Sequence, residues 1–303
     1  MPQNEKKLQS VLDGLMKRYK ERVPDVAGIL NAMIRENVIG SASEIENDHI
    51  AFRTLGVDHL GIQSLEKIFL YYGYQKKDYY YFPEKKLDAY WYSPANPADP
   101  RIFISELRVK DLSPSIQKII KSYTDEVKSD PVEKLDLDNP EAVDNFLHSG
   151  LWRLPSWSDY ETLSAENEYA AWAIYNRYYL NHFTIIVHNL KEGYNTVAEF
   201  NNFLERNGFT LNNSSGKIKK SPDGGLLQSS TVAQMIEAEF VDGDRHIIPG
   251  SYVEFAERRV LPQYADIPST QIKREHRREG FEAANADKIF ESTYSNQTSR
   301  ITK

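Results

Sequence analysis

Two stretches of this chain start on or near a histidine, and each is followed by a stretch that holds a glutamate between apolar residues. The first is Asn47-Asp48-His49-Ile50-Ala51-Phe52-Arg53-Thr54, with Glu106 57 residues after His49 in Ile102-Phe103-Ile104-Ser105-Glu106-Leu107. The second is Leu180-Asn181-His182-Phe183-Thr184-Ile185-Ile186-Val187, with Glu254 72 residues after His182 in Tyr252-Val253-Glu254-Phe255. Two histidines and one carboxylate form the ligand set that holds ferrous iron on one face and leaves positions open for substrate and oxygen. A lone histidine on a strand is ordinarily a satisfied core or surface residue. A pair at matching points of two half-repeats points instead to a shared metal.

The other histidines do not compete. His188 shares a strand face with His182, but six residues at ~3.3 Å each place it ~20 Å away, too far for a common ion. His59, His148, His246 and His276 fall in turn or helix contexts and read as structural.

The acid is harder to choose. By this order Glu106 and Glu254 fall on matching strands, so a symmetric site uses both and has four protein ligands. Dioxygen activation needs three, with positions left for a chelating substrate. Glu254 is preferred, because a carboxylate on a strand meant for burial is costly unless paired or bound to metal. Glu106 has the same context, with an ion pair to Arg108 or Arg53 as its alternative. Arg53 stands four residues after His49, on the same strand face and ~13 Å away. Its planar fork suits the far carboxylate of a substrate whose other end chelates the metal; pairing to a neighbouring glutamate is the structural alternative.

These residues need elements to hold them. Leu8, Val11, Leu12, Leu15 and Met16, then Val26, Ile29, Leu30, Met33 and Ile34 after Pro24, recur at helical spacing. His49 opens a strand, residues 61–74 form an amphipathic helix, and strands follow around 79–82, 86–92 and 101–109. That order is β-α-β-β-β. Residues 111–175 read as a helical insert, after which the order restarts. His182 opens a strand, 196–207 is a helix, and strands follow at 216–221, 225–231, 232–240 and 250–256. The polar 212–225 stretch absorbs the extra length of the second half. Gln228 and Ser229 lie on a strand whose polar face lines a cavity, and with Glu106 they are the candidates for groups surrounding the ligands. The expected fold is α+β: two β-α-β-β-β half-repeats forming one curved sheet around a metal site. The expected organisation is a single domain of residues 1–303. It comprises N-terminal helices (1–44), a first half-repeat (45–110), a helical insert (111–175), a second half-repeat (176–260) and a C-terminal arm (261–303).

Composition narrows the function. With 44 Asp+Glu against 37 Lys+Arg, the chain lacks the basic footprint that nucleic acid requires. No apolar run approaches the ~20 residues that span a bilayer. The first residues carry neither the apolar stretch of a secretory signal nor the acid-free pattern of a transit peptide. A soluble cytoplasmic protein is the expectation. There are no cysteines, which excludes disulfides, zinc-thiolate sites, iron–sulfur clusters and thiol catalysis. No phosphate-binding glycine loop, nucleophile elbow or Rossmann fingerprint occurs.

With these residues in view, the chain resembles the DUF1338 family of 2-oxoadipate dioxygenase/decarboxylases, within the vicinal-oxygen-chelate superfamily. The resemblance rests on residues 48–54, Asn181-His182-Phe183-Thr184, Leu226-Leu227-Gln228-Ser229-Ser230, Tyr252-Val253-Glu254-Phe255-Ala256-Glu257-Arg258 and the tail from Gly280 to Thr293, and covers roughly residues 40–295. It implies an Fe(2+) cofactor held by His49, His182 and Glu254, and substrate contacts from His49 and Arg53. It also implies a reaction of lysine catabolism, in which a 2-oxo acid and O2, here 2-oxoadipate, give 2-hydroxyglutarate and CO2. Longer family members make a further substrate contact from a late loop, which has no evident counterpart in this shorter chain. Two rivals share the fold: a glyoxalase-type Zn²⁺ or Ni²⁺ isomerase that recruits Glu106 as ligand or base, and a module that only binds a small ligand.

Overall fold

The computed structural model describes residues 3–300, so the extreme ends of the N-terminal helices and the C-terminal arm lie outside it. Helices α1 (Gln3–Arg22) and α2 (Pro24–Arg35) precede the first half-repeat, which runs β1 (Asn47–Leu55), α3 (Ile62–Tyr71), β2 (Gln75–Phe82), β3 (Leu87–Ser93) and β4 (Arg101–Leu107). Four helices follow: α4 (Pro114–Thr124), α5 (Pro140–His148), α6 (Trp157–Glu166) and α7 (Glu168–Asn176). The second half runs β5 (His182–Ile186), α8 (Val197–Arg206), β6 (Lys219–Lys220), β7 (Leu226–Ser230), β8 (Met235–Glu239), β9 (Arg245–Pro249) and β10 (Tyr252–Arg258). Beyond it lie α9 (Ala283–Ile289) and α10 (Ser295–Thr298).

The two halves meet edge to edge in one sheet of order β2-β3-β4-β1-β5-β10-β7-β6. The first strand of each half lies parallel to the last, β1 with β4 and β5 with β10, while β1 and β5 join the halves antiparallel. The histidine-bearing strands are therefore central neighbours, which is what brings His49 and His182 together. Helix α9 packs against both β2 at one end of the sheet and β6 and β7 at the other. A helix can touch both ends only because the sheet curls around the cavity it closes.

Local sequence explains the helix boundaries. Thr196 caps α8, its hydroxyl accepting from Glu199 N at 3.2 Å and donating to the Glu199 carboxylate at 2.8 Å, a reciprocal capping arrangement. Gly208, at φ +86°, ends that stretch in the left-handed region. Helix α3 starts at Gly61, which offers no side-chain cap; Glu106 of β4 supplies one, accepting from Ile62 N at 2.7 Å. In the second half Glu257 of β10 does the same for Val197 N of α8, at 2.9 Å.

Two expectations about strands change. The 232–240 strand is not in the main sheet. Its Met235–Glu239 part pairs with β9 in a separate two-stranded hairpin, inserted between β7 and β10. The 216–221 strand shrinks to Lys219–Lys220. The second half's extra length thus goes partly into that hairpin and not only into 212–225. Alternation along a strand reports its two faces but not its neighbours, so sheet membership was not readable from it. Among the described residues, no helix is long and apolar enough to cross a membrane.

Candidate metal centre and the pocket beside it

Side chains alternate along each central strand, and one face of each looks into a cavity of about 360 Å³. It is lined from β1 by His49, Ala51 and Arg53, from β5 by His182, from β10 by Tyr252 and Glu254, and from β7 by Gln228. The C-terminal arm closes it with Phe281, Ala286, Ile289 and Phe290.

At one end, His49, His182 and Glu254 converge, all buried. Glu254 Oε2 lies 3.0 Å from His182 Nε2, Glu254 Oε1 lies 3.5 Å from His49 Nε2, and the two Nε2 atoms are 3.4 Å apart. Two ligands ~2.1 Å from one ion and ~90° apart are ~3.0 Å from each other, so the spacing fits a shared cation. The backs of the rings are fixed. His49 Nδ1 donates to Asp48 Oδ1 at 2.8 Å, and His182 Nδ1 donates to Asn181 Oδ1 at 3.0 Å. In its neutral form each imidazole therefore turns its Nε2 lone pair toward the carboxylate. Three acceptors facing one another in a dry cavity repel unless a cation or protons lie among them. Burial disfavours charge on His49, yet Glu254 in front and Asp48 behind raise its pKa. His182, backed by a neutral amide, is pushed down by burial. Burial also works against ionised Glu254, but the two imidazoles hold its carboxyl well below the usual range. The group has the donor types and spacing that could hold a metal ion.

Around it, Gln228 Nε2 donates to Glu254 Oε1 at 2.6 Å, and Asn285 of α9 donates to Gln228 Oε1 at 3.0 Å. Thr184 places its hydroxyl 3.0 Å from His49 Nε2. Asp48 accepts from Arg258 Nε and Nη2 at 2.6 and 2.9 Å and from Arg101 at 3.2 Å. The Asp48–His49 and Asn181–His182 dipeptides were the sequence signal for this backing; the arginines gave none.

Two candidates fall outside the site. Glu106 faces α3, and its match in the second half is not Glu254. Arg101 pairs with His49 as Tyr252 pairs with His182, so two residues further along, Phe103 is the counterpart of Glu254. Glu106 is the counterpart of Glu257, three residues beyond and on the opposite face. Ser229 likewise points away, donating to Asn201 of α8 at 2.6 Å, because its neighbour Gln228 takes the inward position.

Arg53 stands at the other end of the cavity, 1% exposed. It donates to Thr293 Oγ1 at 2.9 Å and to the Phe290 carbonyl at 3.0 Å, and its guanidinium lies 4.9 and 5.0 Å from the Tyr169 and Trp172 rings. Among the described residues no carboxylate lies at ion-pair distance from it, so the alternative of a pair with Glu106 is not met; Glu168 acts on it only from further off. Its Nε and Asn181 Nδ2 are buried without hydrogen-bond partners, while Tyr252 Oη lies within reach of Arg53 and Ser292. A buried cation with orphaned donors around it is costly unless an anion completes it. The cavity thus offers metal donors at one end and an unsatisfied cation at the other.

Comparison with known proteins agrees with this chemistry. The pattern of the 2-oxoadipate dioxygenase/decarboxylase family matches residues 11–267. A chloroplastic 2-oxoadipate dioxygenase/decarboxylase of Arabidopsis thaliana is 47% identical over 266 residues, covering 84% of this chain and 70% of that protein. A chloroplastic/amyloplastic one of Oryza sativa subsp. japonica is 43% identical over 303 residues, covering 96% of this chain and 80% of that protein. The crystal structure of an Oryza sativa hydroxyglutarate synthase in complex with 2-oxoadipate superimposes with a TM-score of 0.91 at 42% identity, covering 99% of this chain and 96% of that one. By fold, site and sequence, the chain belongs to the 2-oxoadipate dioxygenase/decarboxylase family.

Proposed function

We propose that this protein is an Fe(2+)-dependent dioxygenase that converts 2-oxoadipate and O2 to 2-hydroxyglutarate and CO2. The observation that carries the reading is the three-donor group facing, across one cavity, a buried guanidinium that among the described residues has no carboxylate at ion-pair distance. In the balanced reaction the C1–C2 bond breaks and C1 leaves as CO2. The keto carbon becomes a carboxylate, the adjacent carbon gains a hydroxyl, and both atoms of O2 stay in the five-carbon product. Iron, when bound, supplies the redox chemistry with oxygen.

The chain's own residues do the rest. His49, His182 and Glu254 hold the metal from one side, with Gln228 fixing the carboxylate's rotation. Arg53 takes the distal carboxylate, and the Asn181 Nδ2 donor is free for a further substrate oxygen. Phe281, Ile289 and Phe290 keep water from the reacting end. The His49 ring is in edge contact with Phe281 at 4.8 Å.

The test is oxygen uptake by anaerobically iron-loaded protein on addition of 2-oxoadipate, with one CO2 and one 2-hydroxyglutarate formed per O2. Turnover of a 2-oxo acid without oxygen, with Zn²⁺ in place of iron, supports the isomerase instead; binding without turnover supports the sequestering module. Glu106, engaged at α3, leaves the isomerase without its fourth ligand. The cytoplasmic location read from composition is also a proposal. The plant relatives are named chloroplastic, and cell fractionation decides it.

A further inference from the structure

Asp48 faces a second cavity, of about 580 Å³, that the proposed reaction does not use. Its walls carry five cationic side chains, Arg101, Arg258, Lys273, Arg274 and Arg277, against the carboxylates of Glu46 and Asp48. Both acids are already engaged. Asp48 accepts from Arg258, Arg101 and His49, and Glu46 accepts from Asn189 Nδ2 at 3.0 and 3.1 Å. Glu279 beside the cavity is bound to Arg101 at 2.8 Å and lies 3.8 Å from Arg274 Nε.

Lys273 has Glu275 at 4.0 Å, which leaves Arg274 and Arg277 as the under-neutralised cations. Among the described residues Arg277 has no carboxylate at ion-pair distance. Its Nη1 donates to the Arg258 carbonyl at 2.8 Å, and Glu46 and Glu257 act on it only from further off. Arg274 is held by the carbonyls of Pro97 and Asp99, at 2.6 and 2.9 Å. Burial and the neighbouring Arg101 bring its pKa down to about 10. His188 also lines the cavity. Its Nδ1 accepts from the Arg258 backbone N–H at 3.1 Å, so the neutral ring carries its proton on Nε2, as a donor. Burial and the nearby Arg277 keep that ring neutral, with its pKa lowered to about 3. Surplus guanidinium charge in a half-enclosed cleft is best relieved by a bound anion, and the planar forks match an oxyanion's geometry.

We propose that this cavity is a binding site, separate from the substrate pocket, for a small oxyanion of two or more charges, a phosphate or a dicarboxylate, held by Arg277, Arg274 and His188. The site lies one residue from His49, with the Asp48–Arg258–Arg101 cluster as the partition.

Calorimetric titration of the purified protein with inorganic phosphate, against a chloride-matched blank, tests this. One saturable site is expected, retained in Glu254→Ala and in Arg53→Gln, and weakened at least tenfold in Arg277→Gln and in Arg274→Gln. Lys273 is exposed, so Lys273→Gln leaves the fold alone and weakens binding several-fold, which keeps the test valid if an arginine variant unfolds. Displacement of phosphate by glutarate in the Glu254→Ala protein identifies a dicarboxylate site, and resistance to it a phosphate site; both support the proposal. No saturable site, loss of binding in Glu254→Ala or Arg53→Gln, or unchanged binding in folded Arg277→Gln, Arg274→Gln and Lys273→Gln overturns it.

Discussion

Glu106 and Glu257 hold the same place in the two half-repeats, each closing the first turn of its half's helix by accepting one backbone N–H, from Ile62 and from Val197. Both are therefore fold residues, although one stands only three positions from a metal-ligand candidate. Glu106→Gln and Glu257→Gln should each cost roughly 1–2 kcal/mol, because a charge-assisted bond to a helix N-terminus becomes a neutral one. Iron stoichiometry should stay at one per chain. Gly61→Ala should be worse than Glu106→Gln, since its Cβ would lie 2.1 Å from Glu106 Oε2 at a residue with φ +81°. Urea unfolding together with metal analysis separates these effects; iron lost from a folded Glu106→Gln protein would return that residue to the site.

The metal donors should behave in the opposite way. His49→Ala, His182→Ala and Glu254→Ala are each expected to abolish stoichiometric iron binding while leaving a folded protein. Removing Glu254 also leaves the buried Gln228 amide without its acceptor and the two rings without their carboxylate, so its variant should lose thermal stability even in the absence of metal. Metal content and melting of the three purified variants check this, and a Glu254→Ala protein that keeps one iron at native affinity refutes the assignment.

Asp48 links the metal centre to two arginines of 1 and 2% exposure, Arg258 and Arg101. Asp48→Asn keeps the shape and removes the charge. It should cost about 3–5 kcal/mol, the usual effect of leaving buried cations unpaired. Iron affinity should fall 10–100-fold, because the imidazole loses its anionic partner. Asn181 backs His182 without charge, so Asn181→Ala should weaken iron binding less. Equal losses in the two variants would show that the charge of Asp48 does not act through His49.

Arg53 decides substrate choice if it takes the distal carboxylate. Arg53→Ala should lose roughly 2–5 kcal/mol of productive binding of 2-oxoadipate, because a desolvated acid is left unpaired. Arg53→Lys should restore only part, since an ammonium cannot reproduce the planar fork. The loss should be small for a 2-oxo acid with an uncharged tail. Steady-state kinetics with both substrates give the answer: equal losses mean that Arg53 serves the arm, through Thr293 and Phe290, and not the substrate.

His188 gives the fold an acid sensitivity. Burial and Arg277 lower its pKa to about 3 from an ordinary 6.5, so between these values the unfolded chain binds a proton that the folded one refuses. Stability is complete above pH 6.5 and falls as pH drops toward 3, by at most about 1.4 kcal/mol per pH unit from this group. His188→Gln, whose amide oxygen can still accept from Arg258 N, should flatten that slope. Unfolding free energies of both proteins at pH 7.5, 6 and 5 measure the difference; parallel slopes would rule the histidine out.

Residue type and order along the chain determined a good deal: the repeated β-α-β-β-β order, the histidine opening each half, and an acid on the strand closing the second. Those features are local, since burial pattern and caps act within a few residues. What depended on pairing between distant strands was settled only by the folded molecule. Register makes Phe103, not Glu106, the mate of Glu254, and turns Gln228 inward while Ser229 faces α8. It also brings Arg258 to Asp48 across 210 residues, and lets the arm close the cavity and hold Arg53 through Thr293 and the Phe290 carbonyl. A strand's two-residue period tells which side chains share a face, but which face meets the core, and which strand lies alongside, is decided by hydrogen-bond register and by packing between segments far apart in sequence.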